Sequence, residues 1–328
     1  MLTFWTFALG LAILLYVVLD GFDLGVGILF PFAPSETARR HMLSAISPVW
    51  DGNETWLIVA ASVLFGIFPL VYSTLLSALY LPLIVMLMAL ILRGVAFEFR
   101  YKATRSRILW DVGFAGGSIV ASFIQGVAVG ALVEGLPIQK GQYVGGAFGW
   151  ASPFALLCGV GLCLGYALLG AGWLTYKTAE DIQDMAFRIL PRLLFAVLAF
   201  LAVAFVWALV LDLRVMHRWL EEPFLVVFPL IGIAACRFLL TAVRKRRQLV
   251  PFLCGAAIFA AAFATLAVSF YPYMIPFTIT IAEAAAPASS LAFMFWGNGL
   301  FILPLTLIYT LVVYFVFKGK VDTHQEYH

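Results

Sequence analysis

Charge is scarce: Asp, Glu, Lys and Arg make up only 11% of the 328 residues, against about 25% in an ordinary soluble domain, and that shortage excludes a water-soluble globular fold. No hydrophilic stretch is long enough to form a separate domain, so residues 1–328 read as a single integral membrane domain. The positive excess is small, 20 Lys and Arg against 17 Asp and Glu, which excludes nucleic acid as a partner. Only four cysteines occur, Cys158, Cys163, Cys236 and Cys254. All sit in apolar runs without metal-ligand spacing and read as small buried hydrophobes. Walker loops, dinucleotide fingerprints and nucleophile elbows are all missing.

Apolar residues fill the space that charge leaves. The sequence is 64% hydrophobic and 16% aromatic, and a transmembrane helix needs roughly 20 apolar residues, so an all-α polytopic membrane protein is expected. Nine spans are predicted, near 4–32, 50–72, 77–97, 112–133, 153–173, 189–211, 222–242, 250–270 and 294–317. The second and third, separated around Ser73 to Leu76, must form an antiparallel hairpin. The N-terminus has neither a basic leader nor a small-residue cleavage site and reads as a retained first span. Connections after odd-numbered spans carry 16 of the 20 Lys and Arg, and those after even-numbered spans carry three, Lys140, Arg214 and Arg218. Cytoplasmic loops retain positive charge, so the N-terminus is expected outside and the C-terminus in the cytoplasm. Arg237, inside the seventh span, needs an anionic partner or must snorkel to the surface. The run Arg244 to Arg247 serves as a topology signal or a grip on anionic lipid. The Gly21/Gly25, Gly126/Gly130 and Gly161/Gly165 spacings suit close helix packing, and prolines such as Pro69, Pro82 and Pro304 suit kinks.

Ionisable groups at membrane depth are costly and usually functional. Asp20 and Asp23, three residues apart, share one face of the first helix. The second helix opens with Trp50-Asp51-Gly-Asn53-Glu54-Thr-Trp56, and the third closes with Arg93 and with Glu98-Phe-Arg100. The alternating topology puts all of these in the cytoplasmic part of the membrane. Several carboxylates in one low-dielectric region cannot all ionise freely, and Asp51, Asp20, Asp23 and Glu54 are candidates to relay protons. The competing structural role is that Asp51 and Glu54 cap their helix at its positive end, with Arg93, Glu98 and Arg100 pairing with them in a buried clamp. That clamp is the expected role of Glu98. Asp111 and Asp212, at span ends, read as interface residues. The histidines, His41, His217, His324 and His328, fall in loops or the tail, which excludes bis-histidine haem ligation inside the chain. Met86, Met88 and Met274 read as apolar filler.

The strings Asp20-Gly-Phe-Asp-Leu-Gly-Val-Gly27, Trp50-Asp-Gly-Asn-Glu-Thr-Trp56, Arg93 with Phe97-Glu-Phe-Arg100, and Tyr271-Pro-Tyr-Met-Ile-Pro276 resemble subunit II of the cytochrome bd-type quinol oxidases over the whole chain. The resemblance implies two four-helix bundles plus one extra helix, in the prokaryotic cytoplasmic (inner) membrane. It implies a haem-free accessory subunit, not catalytic alone, of a complex that oxidises quinol and reduces dioxygen to water. In that family the haems, b and d or a b-type substitute, belong to the partner, subunit I. Asp51 falls at an aspartate of a proposed proton route. A structural quinone or lipid within this subunit and a small single-span subunit are further expected partners. The brief connection near 212–222 resembles the cyanide-insensitive branch. Two rivals remain: a proton-coupled secondary transporter, for which intramembrane carboxylates also speak, and an assembly protein without proton traffic.

Overall fold

A computed structural model describes residues 1–139, 141–211, 213–221 and 223–321. Lys140, Asp212, His324 and His328 lie outside the described residues, as do the side chains of His217 and Arg218. The chain is helical almost throughout: α1 (Leu2–Leu29), α2 (Glu36–Ser44), α3 (Trp50–Ile67), α4 (Pro69–Lys102), α5 (Arg107–Glu134), α6 (Pro153–Lys177), α7 (Glu180–Val210), α8 (Arg214–Glu221), α9 (Val227–Arg244), α10 (Val250–Phe270), α11 (Ile281–Ala284), α12 (Ala288–Met294) and α13 (Leu303–Val316). Two small hairpins, β1 (Ile138–Gln139) with β2 (Gln142–Tyr143) and β3 (Tyr273–Ile275) with β4 (Ile279–Thr280), lie in connections. Thr280 and Glu283 cap α11 reciprocally, and the hydrogen bonds from Thr280 hold the Glu283 carboxyl below its usual range.

Among the described residues, eight helical stretches are long and apolar enough to cross a membrane. The ninth expected span, α3, is an 18-residue helix outside that set, its opening turns loaded with Asp51, Asn53 and Glu54. Its end differs from expectation. The break between α3 and α4 falls at Phe68 (φ −126°, ψ 58°), not at Ser73 to Leu76. A residue before proline is driven out of the helical region, and Pro69 follows. Ser73, Thr74 and Ser77 stay helical because their hydroxyls donate back to carbonyls within the helix, at 2.8–3.0 Å. Pro82, which has no N–H, produces a kink at Leu79 (φ −116°, ψ 17°) instead. The hairpin itself is as expected: Trp50, at the start of α3, packs its ring 5.2 Å from Phe97, near the end of α4. Helix α7 starts nine residues before the predicted 189, because Glu180 and Asp181 sit in its first turn, where the helix dipole favours them.

Helix α1 is the centre of the packing, contacting α3, α5, α6 and α10. Its small residues let α6 come close: Gly25 faces the Tyr166 carbonyl and Gly170. Phe22 stacks on Trp173 at 4.2 Å and meets Phe252 edge-on at 5.4 Å. At one end of the molecule, Trp173 Nε1 donates to the Ala45 carbonyl (2.9 Å), Thr175 to that of Gln248 (2.7 Å) and Lys177 to that of Phe317 (2.7 Å). These bonds gather the α2–α3, α9–α10 and post-α13 segments beside the end of α6. The opposite end is tied by Ala286 N–H to the Ile67 carbonyl (2.8 Å) and by Thr74 to that of Gly141 (2.9 Å).

Candidate functional site

The first cluster is built on one stripe of α1, because residues 16, 20 and 23 recur at helical spacing. Asp20 and Asp23 are both fully buried. Arg93 of α4, 1% exposed, donates from Nη1 to Asp20 Oδ1 at 2.9 Å, and its guanidinium carbon lies 6.0 Å from the Trp50 ring centre. Asp23 makes no ion pair among the described residues, although Arg93 lies within its electrostatic reach. Its Oδ2 accepts from Asn53 Nδ2 at 2.7 Å, and Asn53 Oδ1 accepts from the Tyr314 hydroxyl at 2.9 Å. Further along the stripe, Gln125 Nε2 donates to the Tyr16 hydroxyl (2.8 Å) and Tyr166 donates to Gln125 Oε1 (2.7 Å). In this region the buried atoms Asp20 Oδ2, Asp23 Oδ1, Arg93 Nη2 and Trp56 Nε1 have no hydrogen-bond partner among the described residues. A polar core with open hydrogen-bonding capacity inside an apolar bundle is suited to handling protons or water.

The second cluster fastens α2 to the ends of α4 and α5. Arg100, 2% exposed, donates to Glu36 Oε2 at 2.9 Å and, through Nε, to Asp111. Arg39 pairs with Asp111 at 3.5 Å, and Arg107 with Glu36 at 3.5 Å. The Arg100 guanidinium carbon lies 5.1 Å from the Phe30 ring centre. Asp111 is thus an ion-pair partner at a span end.

The clamp expected of Arg93, Glu98 and Arg100 with Asp51 and Glu54 is not formed. Arg93 and Arg100, seven residues apart, share a face of α4, whereas Glu98 lies about 140° from Arg93 around the helix and is exposed without an ion pair among the described residues. Glu98→Gln is therefore expected to leave the yield of folded protein unchanged, while Arg100→Gln, which strips Glu36 and Asp111 of their shared cation, lowers it several-fold; detergent-extracted yield from membranes checks both. Asp51 is exposed in the first turn of α3, without an ion pair among the described residues. Glu54 is half-buried and within electrostatic reach of Arg93, Asp20 and Asp51. Trp56 is fully buried. Arg237 is exposed on α9 without an acidic partner among the described residues. Tyr314, Gln125, Tyr16, Tyr166 and Glu36 did not stand out in the sequence. Only Tyr16 carried a signal there, its position four residues before Asp20.

The family model described as cytochrome bd terminal oxidase subunit II matches residues 1–317. The chain is 31% identical to a probable cytochrome oxidase subunit 2 of Haemophilus influenzae, over 92% of this chain and 86% of that one. It is 30% identical to cytochrome bd ubiquinol oxidase subunit 2 of Bacillus subtilis, over 95% and 94%. The bd oxidase structure from Geobacillus thermodenitrificans has a chain of similar fold, with a TM-score of 0.76, 19% identity, and coverage of 96% of this chain and 99% of that one.

Proposed function

Because the chain belongs to the cytochrome bd terminal oxidase subunit II family, we propose that it holds the haem-bearing subunit I in place and feeds it protons from the cytoplasm. As a family member it is a multi-pass bacterial membrane protein and part of an oxidoreductase complex with haem cofactors and a subunit I partner. The finer reading places it in the inner membrane as one domain, N-terminus outside. Spans α1, α3, α4 and α5 make one four-helix bundle, α6, α7, α9 and α10 the second, and α13 is the extra helix.

The residues here do not fit a haem. Among the described residues no histidine lies in a membrane-spanning helix and no group of three or more His, Cys, Asp or Glu is placed to hold a metal ion. Haem b, and haem d or its b-type substitute, accordingly sit on subunit I in this reading. A structural quinone or lipid and a small single-span subunit complete the assembly.

The docking face follows from Asp51. An aspartate open to hydrocarbon is costly, yet Asp51 shares an exposed face of α3 with Ile58 and Phe65, and Tyr309 of α13 lies beside Gly52. Cover by subunit I resolves that cost. It also places Asp51 where a proton crosses between subunits.

The observation that carries the proton role is the division among the carboxylates. Asp20 is held by Arg93 in a direct ion pair, whereas Asp23 and Asp51 make none among the described residues, and Glu54 is in electrostatic reach of Arg93, Asp20 and Asp51. Carboxylates without a fixed counter-ion are free to take up and release a proton. Purification in mild detergent, a reduced-minus-oxidised spectrum and quinol-driven oxygen consumption test this reading. It predicts a co-purifying haem partner with oxidase activity, and a tenfold or larger loss of turnover, on the order of a lost acid–base group, in Asp51→Asn at unchanged haem content. A solitary haem-free protein would put the transporter reading first. Haem lost together with activity in Asp51→Asn would leave only a structural role.

A further inference from the structure

A cavity of about 180 Å³ lies at the end of the molecule where α6 and α13 finish, walled by Pro48, Val49, Trp173, Lys177, Phe252 and Tyr314 among others. Its volume admits several waters at about 30 Å³ each. The Lys177 ammonium donates one of its three hydrogens to the Phe317 carbonyl at 2.7 Å, and Lys318 also lines the cavity. One wall, Tyr314, leads inward: its hydroxyl donates to Asn53 Oδ1, and Asn53 Nδ2 donates to Asp23. Asp23 is fully buried and its Oδ1 has no protein partner.

We infer that this cavity is the aqueous vestibule through which protons reach the buried carboxylates, and that Tyr314 is the positioning residue between it and Asp23. The inference rests on the proton-feeding role proposed above and gives it a mouth. Three hydrogen bonds fix the Asn53 amide with its nitrogen toward Asp23: Tyr314 donates to Oδ1, and Nδ2 donates to Asp23 and to the Leu19 carbonyl at 3.3 Å. That leaves Asp23 Oδ1 as the open acceptor. A hydronium in the vestibule passes its excess proton along water to Oδ1: an O–H bond of the donating water breaks, one forms on the carboxylate, and Asp23 becomes a neutral carboxyl. The proton leaves by way of Glu54, which is in electrostatic reach of both Asp23 and Asp51, and the carboxylate is restored. Without the Tyr314 hydroxyl the Asn53 oxygen loses its donor, and the amide that donates to Asp23 is held less firmly beside the carboxylate.

The test uses the intact complex in inside-out vesicles. In Pro48→Cys, labelling with the membrane-impermeant methanethiosulfonate ethylsulfonate is expected to slow quinol oxidation about fivefold or more relative to the same complex unlabelled, with the reagent inert on the parent protein. Tyr314→Phe, which removes a positioning bond and not a proton-transferring group, is expected to lower kcat by a similar factor, well below the roughly 100-fold or larger loss of an acid–base group, with quinol KM and the haem bands unchanged. If both run at full rate while Asp23→Asn and Asp51→Asn are slow, protons enter elsewhere and the vestibule is refuted. If the Asp23 and Asp51 variants also run at full rate, the proton-feeding role itself falls. Loss of the haem bands in labelled Pro48→Cys or in Tyr314→Phe would make the region structural and overturn the inference as well.

Discussion

Replacing Arg93 with methionine is expected to abolish recovery of the assembled complex. Arg93 is 1% exposed and Asp20 is 0% exposed, and they meet at 2.9 Å. Methionine leaves Asp20 buried without a counter-ion, and breaking a buried pair from one side costs about 3 to 5 kcal/mol, a large share of the stability of a typical domain. The pair itself need not be a large net stabiliser, because both charges are desolvated. Hence Asp20→Leu combined with Arg93→Met is expected to restore much of the yield that Arg93→Met alone loses. Complex yield and the reduced-minus-oxidised spectrum of the two variants measure this. Equal loss in the double variant would show that Arg93 stabilises through something other than Asp20.

Gly25→Val is expected to be as severe, for a steric reason. A Cβ at Gly25 would lie 1.8 Å from the Tyr166 carbonyl oxygen and 2.9 Å from the Gly170 nitrogen, and one at Gly170 would lie 2.4 Å from the Gly25 carbonyl carbon. All three contacts are backbone atoms, so no rotamer change relieves them. Helices α1 and α6 would have to separate, breaking the Phe22–Trp173 stack and displacing Asp20 and Asp23 from their partners. Gly116→Ala is the control, since a Cβ there meets nothing within 4 Å. The expected result is loss of detergent-extractable protein for Gly25→Val and normal yield for Gly116→Ala.

Much of this architecture is legible in the sequence because a bilayer leaves few alternatives. Apolar runs of about span length must be helices, and the Gly21/Gly25, Gly126/Gly130 and Gly161/Gly165 pairs do lie at close approaches. That Asp20, Asp23, Glu54 and Arg93 come together was expected from the alternation of the spans, whereas Asp51 is exposed beside them. What was not legible depends on which way a side chain points or on what sits opposite it. Glu98 looked like a clamp residue because it lies between two arginines in the chain, but helical phase turns it away. The Asn53–Tyr314 bond joins residues 261 positions apart, and no local pattern marks such a pair. The role of Glu36 depends on α2 folding back against α4 and α5. The turn at Phe68 was misplaced because polar residues at Ser73 to Leu76 outweighed a proline that in fact decides it. The π-helical stretch Phe295–Ile302 leading into α13 likewise has no simple sequence period.

The central claim is that carboxylates of this subunit carry protons to the site of oxygen reduction. The most direct measurement is proton uptake from the cytoplasmic side of vesicles, followed with a pH indicator after an oxygen pulse to the fully reduced complex, with and without Asp51→Asn. The account predicts uptake slowed by about tenfold or more, at unchanged haem content. Uptake at the parent rate in an Asp51→Asn complex with full haem would contradict it.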